Sequence, residues 1–226
     1  MKTIIYSLVA LFILSSCEKR KEGAILTKEE TALTEKVHFN PAVLLKLREY
    51  TDAPLKQFVT STYEYDPARK QDMFVKNYNH AVVFALPKDK SSRLSKEMQP
   101  WLTKKGYVVF TSYDSFGKDN DSIAILKTRD QFDILRTVGT ASPDYDLYNK
   151  AIIATLYKWS LKYPFIITGA GQDWVQAEFI KQPADMEAFA KEVYAFCPDI
   201  VDQGSGDIEA LAKEMKDNNM LYLWWD

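Results

Sequence analysis

The chain has 226 residues, 46% of them hydrophobic and 13% aromatic, with 29 Lys and Arg against 31 Asp and Glu. This near-neutral balance lacks the basic excess of a nucleic-acid-binding surface, so nucleic acid is not an expected partner. The length allows one domain with a sufficient core, or two smaller ones, and no internal repeat or low-complexity tract is visible.

The first residues carry an address. Lys2 precedes an apolar stretch from Ile4 to Leu14 that closes on Leu14-Ser15-Ser16-Cys17. Charge, apolar core and small residues in that order are the parts of a secretory signal, and the stretch is well short of the ~20 residues of a membrane-spanning helix. Leu-Ser-Ser-Cys resembles the bacterial lipobox, which implies cleavage before Cys17 and acylation of its thiol. Residues 1–16 are therefore expected to be removed. Membrane lipid on Cys17 is the expected partner, and the bacterial cell envelope the expected location. Two acyl chains with about 0.8 kcal/mol per buried methylene make such attachment stable. Only Cys197 then remains, so no intramolecular disulfide is expected.

Residues 17–36 alternate charges of both signs and read as a lipidated cysteine with a flexible tether. Thr27 with Glu30 three residues on leaves open a short capped helix in the same stretch. The globular part is expected over 37–226. Asn40-Pro41 followed by Val43, Leu44 and Leu47 predicts a helix to about Tyr50. From there to Tyr78 the pattern is irregular, and Ala81 to Leu86 reads as a buried strand.

Leu94, Met98, Trp101 and Leu102 share a helical face, with Pro100 expected to kink or split the helix and Gly106 to end it. Tyr107–Phe110 and Ser122–Leu126 flank a turn-prone stretch and predict a strand pair. Leu147, Ala151, Ile152, Leu156 and Trp159 line one face of a helix that Pro164 terminates. Phe165–Thr168 and Trp174–Ile180 follow as strands joined by a Gly169–Asp173 hairpin loop. Helices from Pro183 and around Ile208–Met215 precede a last strand, Leu221–Trp224.

This order predicts an α+β fold, with helices on a largely antiparallel or mixed sheet and a C-terminal half close to a split β-α-β arrangement.

From Phe132 to Asp226, within a unit set at 122–226, the chain resembles the uncharacterised bacterial family catalogued as domain of unknown function 4253. The resemblance is carried by Leu135-Arg136, Gly139-Thr140, Tyr145-Asp146 and Gly169–Trp174. It continues through Glu192–Val201 with Gln203-Gly204, and Leu223-Trp224-Trp225-Asp226. It implies a shared fold and brings no activity, cofactor or catalytic residue.

Cys197 is the one candidate nucleophile, but its place at the negative end of a helix would raise its pKa, which favours a buried structural thiol. A base would have to be His38 or His80. Without a Cys pair or closely spaced histidines no zinc site is expected. Asp199, Asp202, Asp207 and Glu209 are conceivable calcium donors at a spacing unlike an EF-hand. The simpler reading has Ser205 capping the next helix. Gly169-Ala170-Gly171 leads into a strand and so reads as a turn, not a phosphate cradle; no cofactor is expected.

On a strand Trp224 and Trp225 point to opposite faces, one into the core and the other either covered by a helix or exposed as a binding aromatic beside Asp226. Arg136, Asp173, Glu192, Tyr194, Cys197, Asp199, Trp224, Trp225 and Asp226 form a possible binding cleft, with no catalytic or metal-binding role assigned. The expected function is a non-catalytic binding or interaction module in the envelope. The alternative is an envelope hydrolase using acidic residues or Cys197.

Overall fold

The computed structural model describes residues 25–226, apart from the side chains of residues 62–66, 72, 74 and 78. The signal segment and Cys17 lie outside the described residues.

The chain's acidic and basic residues decide its first element. Thr27 accepts a hydrogen bond from the Glu30 backbone N–H at 3.2 Å, and Glu30 Oε2 accepts from the Thr27 N–H at 2.9 Å. This reciprocal cap starts α1 (Lys28–Lys36). Residues 28–36, expected to belong to a flexible tether, are therefore helical. Glu30 is buried and its Oε1 accepts from Arg48 Nε at 2.7 Å and from Nη2 as well. Arg48 Nη1 donates to the carbonyls of Thr51 (2.8 Å) and Ala53 (2.9 Å). A charge-rich composition argues for solvation only when the charges lack partners, and these have them.

α2 (Pro41–Arg48) begins where Asn40 Oδ1 accepts from the Ala42 N–H at 2.9 Å, and it buries Val43, Leu44 and Leu47. A long antiparallel hairpin follows, β1 (Lys56–Asp66) and β2 (Gln71–Leu86). Most of it was not expected. Only its Ala81–Leu86 portion also pairs with a second neighbour and carries an apolar run. The outer part pairs β1 with β2 alone, and its sequence shows no apolar run of that kind.

α3 (Lys88–Lys105) runs unbroken through Pro100, against the expected kink. Ser91, Leu94, Met98 and Leu102 form its buried stripe, while Pro100 is exposed. The missing N–H thus costs one intrahelical bond on the solvent side and leaves the packed stripe intact. Gly106, at φ 80°, ends the helix in the left-handed conformation. β3 (Val108–Tyr113) and β4 (Asp121–Leu126) form the expected antiparallel pair.

The remaining elements are α4 (Asp133–Val138), α5 (Asn149–Lys162), β5 (Phe165–Ala170), β6 (Trp174–Phe179), α6 (Met186–Phe196), α7 (Ile208–Asn218) and β7 (Met220–Trp224). α6 starts later than Pro183 because Asp185 is its cap, accepting from the Ala188 N–H at 2.9 Å. α7 is capped by Asp207, which accepts from Ala210 N–H at 2.7 Å, and not by Ser205. A one-turn π-helix, Ile200–Ser205, fills the space between them.

The strands form one seven-stranded sheet in the order β1-β2-β4-β3-β5-β6-β7. Every pairing is antiparallel except β3 with β5, joined at Thr111 and Gly169. The class is α+β with a mixed sheet, as expected. The strand neighbours differ from a split β-α-β arrangement, because β3 stands between β4 and β5, and those two run in opposite directions.

Each face of the sheet has its own core. On one face Val82, Phe84, Val109, Ile123 and Ile125 pack beneath α1, α2 and α3. On the other, Phe110, Ala124, Ile167, Val175, Ala177, Leu221 and Leu223 pack against α4 to α7. Alternation along the strands supplies both sets at once. No helix of the described residues is long and apolar enough to cross a membrane.

Breaking the Glu30–Arg48 pair tests the packing of α1. Glu30→Ala should lower unfolding free energy by roughly 3 kcal/mol, since it leaves a nearly buried guanidinium without its partner. A urea midpoint unchanged from the parent would show α1 to be loosely attached.

Candidate functional site

The last residues of the chain are tied down from several elements. The Cys197 thiol, at the C-cap of α6, donates to the Trp224 carbonyl at 3.0 Å. The Trp225 N–H donates to the Asp173 carbonyl at 2.9 Å, and the Asp226 N–H to Asp199 Oδ2 at 3.0 Å. Asp199 Oδ1 accepts from the Tyr145 hydroxyl (2.5 Å) and the Gln203 amide (3.1 Å). Asp173, Cys197, Asp199, Trp224, Trp225 and Asp226 therefore do come together, and Tyr145 joins them.

The electrostatics of this clamp are those of a structural lock. Burial raises the Asp199 carboxyl, but hydrogen bonds from Tyr145, the Asp226 backbone and Gln203 outweigh it, and the net shift is downward. The same bond to Asp199, with smaller contributions from desolvation and nearby charge, pushes Tyr145 up to about 12. Burial pushes the Cys197 thiol up to about 12, with backbone hydrogen bonds offsetting part of the rise and the Asp199 charge adding to it. A buried, protonated thiol bonded to a carbonyl is a poor nucleophile.

Three of the expected cleft residues lie elsewhere. Arg136 pairs with Asp130 (2.7 Å) and Asp133 (2.5 Å) at α4. Glu192 accepts from Lys162 at 2.7 Å and the Tyr163 hydroxyl at 3.2 Å. Tyr194 donates to Asp202 at 3.0 Å. Each of these three is bonded to partners other than the residues of the clamp.

Cys197 has no histidine in its environment, because the chain's two histidines have found each other. The rings of His38, after α1, and His80, in β2, sit 4.8 Å apart by centroid. In the conceivable calcium segment Asp199 is committed to hydrogen bonds and Asp207 to capping α7. Among the described residues no group of three or more His, Cys, Asp or Glu is placed to hold a metal ion.

The two tryptophans divide as strand alternation requires. Trp225 is buried, edge-on to Phe196 with centroids 5.8 Å apart. Trp224 turns to the face away from α4 to α7 and is half-buried, opposite Trp174 in the β6–β7 register. Trp174 stacks on Tyr222 with centroids 6.0 Å apart. The helices α1 to α3 cover this face only over β2, β4 and β3. Trp174, Tyr222 and Trp224 thus form an aromatic row over β6 and β7, with the Gln176 amide beside it, held to Thr168 at 3.0 Å. Burial, with the charges of Asp114 and Asp173, pushes Tyr222 up to about 12.

The Gly169-Ala170-Gly171 motif serves this row. A Cβ on Gly171 would lie 2.1 Å from Trp174 Nε1, and one on Gly169 would lie 2.8 Å from the same indole. The glycines let the indole lie flat on the β5–β6 turn. Sequence reasoning identified the turn but had no means of seeing Trp174 fold back over it.

Two surface clefts were not foreseen. One, about 470 Å³, is bordered by His38, Phe39, Trp101, Lys105, Tyr107 and Lys127. The other, about 360 Å³, includes His80, Lys127, Asp133 and Arg136. Their residues are far apart in sequence and belong to no local pattern.

Residues 122–226 match the family model described as Domain of unknown function (DUF4253). No curated protein and no solved structure gives a match. The matched segment contains every residue of the clamp and of the aromatic row.

Three outcomes are expected at this site. Cys197 should resist thiol reagents in the native protein and react at the rate of a free thiol once unfolded; rapid native labelling would contradict its burial. Asp199→Asn should cost about 2 kcal/mol at neutral pH, the worth of hydrogen bonds to a buried charge. Because the folded-state pKa of Asp199 is lowered, its contribution is present above the ordinary Asp value of about 3.9 and is lost as pH falls through the folded value, so the gap between parent and variant should narrow in acid. Gly171→Ala should displace Trp174 and lower stability by about 1–3 kcal/mol, with a shift in tryptophan emission.

Proposed function

We propose that this chain is a lipoprotein of the bacterial cell envelope, held to the membrane through acylated Cys17, and that it acts as a non-catalytic binding module. The observation that carries the binding role is the aromatic row of Trp174, Tyr222 and Trp224, half-buried side chains set on one face of the β6–β7 pair. Half-buried rings fixed by their neighbours make contacts at little entropic cost.

The ligand class that fits is a saccharide. Its C–H faces stack on indole and phenol rings, and the Gln176 amide and the Asp173 carboxylate near Tyr222 supply groups for its hydroxyls. The hydrolase alternative is weaker, because the Cys197 thiol is buried and bonded to the Trp224 carbonyl, while the rings of His38 and His80 lie against each other.

Two experiments test this reading. Cys17→Ala should abolish acylation and release the protein from membranes; a variant still membrane-bound would defeat the anchor. Titration with chitotetraose should change tryptophan fluorescence saturably, and Trp224→Ala should weaken binding about tenfold while leaving the fold intact. A panel of β-linked oligosaccharides without any saturable response would remove the saccharide assignment.

A further inference from the structure

The larger cleft has a chemistry different from that of the aromatic row. Its charged lining consists of Lys105 and Lys127, with His38 beside them and without a carboxylate, in a chain whose acidic residues outnumber its basic ones. Phe39, Trp101 and Tyr107 supply a ring-rich wall. Lys127 Nζ donates to the His38 carbonyl at 2.8 Å, which ties the α1–α2 connection to the end of β4. Lys105 Nζ stands 6.0 Å from the centroid of Trp101.

Backbone donors at the start of α2 are already satisfied. The Asn40 N–H donates to the Tyr107 hydroxyl at 2.9 Å and the Ala42 N–H to Asn40 Oδ1 at 2.9 Å. An anion here would be held by side-chain cations instead. The volume, about 470 Å³, exceeds what a bare inorganic anion fills and leaves room for an organic body against the rings. Lysine ammonium groups act as compact point charges and bind phosphate well in that role.

We propose that this cleft binds an organic phosphate, with the phosphoryl group facing Lys105 and Lys127 and the organic body against Trp101 and Phe39. The smaller cleft, about 360 Å³, shares Lys127, so a longer ligand could continue toward His80. A soluble phosphate ester and the headgroup of an anionic lipid both carry this chemistry. On the anchoring proposed above, residues 18–27 give an extended reach of roughly 35 Å between the lipid on Cys17 and α1, which brings a headgroup within range.

The test is isothermal titration of the full chain carrying Cys17→Ala, which keeps attached lipid out of the measurement. The probes are phenyl phosphate, inorganic phosphate, phenol and monomeric dihexanoyl phosphatidylglycerol. At least one organic phosphate should bind with one-to-one stoichiometry and more tightly than either inorganic phosphate or phenol. Lys105→Glu and Lys127→Ala should each weaken it about tenfold. Trp224→Ala should leave it unchanged, which separates this site from the aromatic row. Tighter binding of phenyl phosphate identifies a soluble ester, and tighter binding of the short-chain lipid identifies a headgroup. Absence of saturation by both organic phosphates up to roughly 10 mM would overturn the proposal. So would binding that both lysine variants retain at full strength with unaltered melting curves.

Discussion

The structure depends on one parallel seam. β1, β2, β4 and β3 form an antiparallel ribbon, β5, β6 and β7 form another, and the two are paired strand to strand where β3 lies beside β5 at Thr111 and Gly169. A Cβ on Gly169 would stand 3.3 Å from the Thr111 carbonyl and 2.8 Å from the Trp174 ring, so this position combines close strand approach with the seat of an indole. Phe110, fully buried one residue before Thr111, carries the core of the C-terminal helices across the seam. The aromatic row lies immediately beyond it.

The seam also shows how far the matched family segment stands alone. Residues 122–226 begin inside β4, whose two neighbours in the sheet, β2 and β3, both precede the match. Without β2 and β3, β4 has no strand to pair with, β5 becomes an unprotected edge and the core loses Phe110. The segment's recognisable residues build the clamp at the C-terminus, while the strand that unites its sheet comes from the preceding half. Two cores on opposite faces then share one layer of backbone, and each supports the other.

Much of this was legible in the sequence because it repeats locally. Val43, Leu44 and Leu47, or Leu156 and Trp159, advertise helices through spacing, and Gly106 and Pro164 mark their ends. Trp224 and Trp225 separated as alternation requires. The outer hairpin was not legible because the sequence from Lys56 to His80 mixes polar, charged and aromatic residues without a sustained apolar run. α1 was read as tether because the Glu30–Arg48 pairing spans eighteen positions, and composition cannot distinguish a paired charge from a solvated one. The candidate site divided along the same line. Residues near the C-terminus converged because β6, α6 and β7 bring them together, whereas Arg136, Glu192 and Tyr194 found nearer partners. The clefts around His38, His80 and Lys127 arise from residues on α2, α3, α4, β2 and β4 and on the connections between elements, with no spacing to betray them.

The functional reading rests on this architecture: a sheet edge, locked by Asp199 and Cys197, that presents aromatic rings held by their neighbours. Such a surface is only as well defined as the sheet beneath it, and the sheet is only as continuous as its seam. Expression of residues 122–226 alone, followed by urea unfolding monitored through tryptophan fluorescence and circular dichroism, tests that dependence most directly. The segment without β3 should show no cooperative transition, while the full chain unfolds in one. A sharp transition in the isolated segment, with a midpoint equal to that of the full chain, would contradict the account.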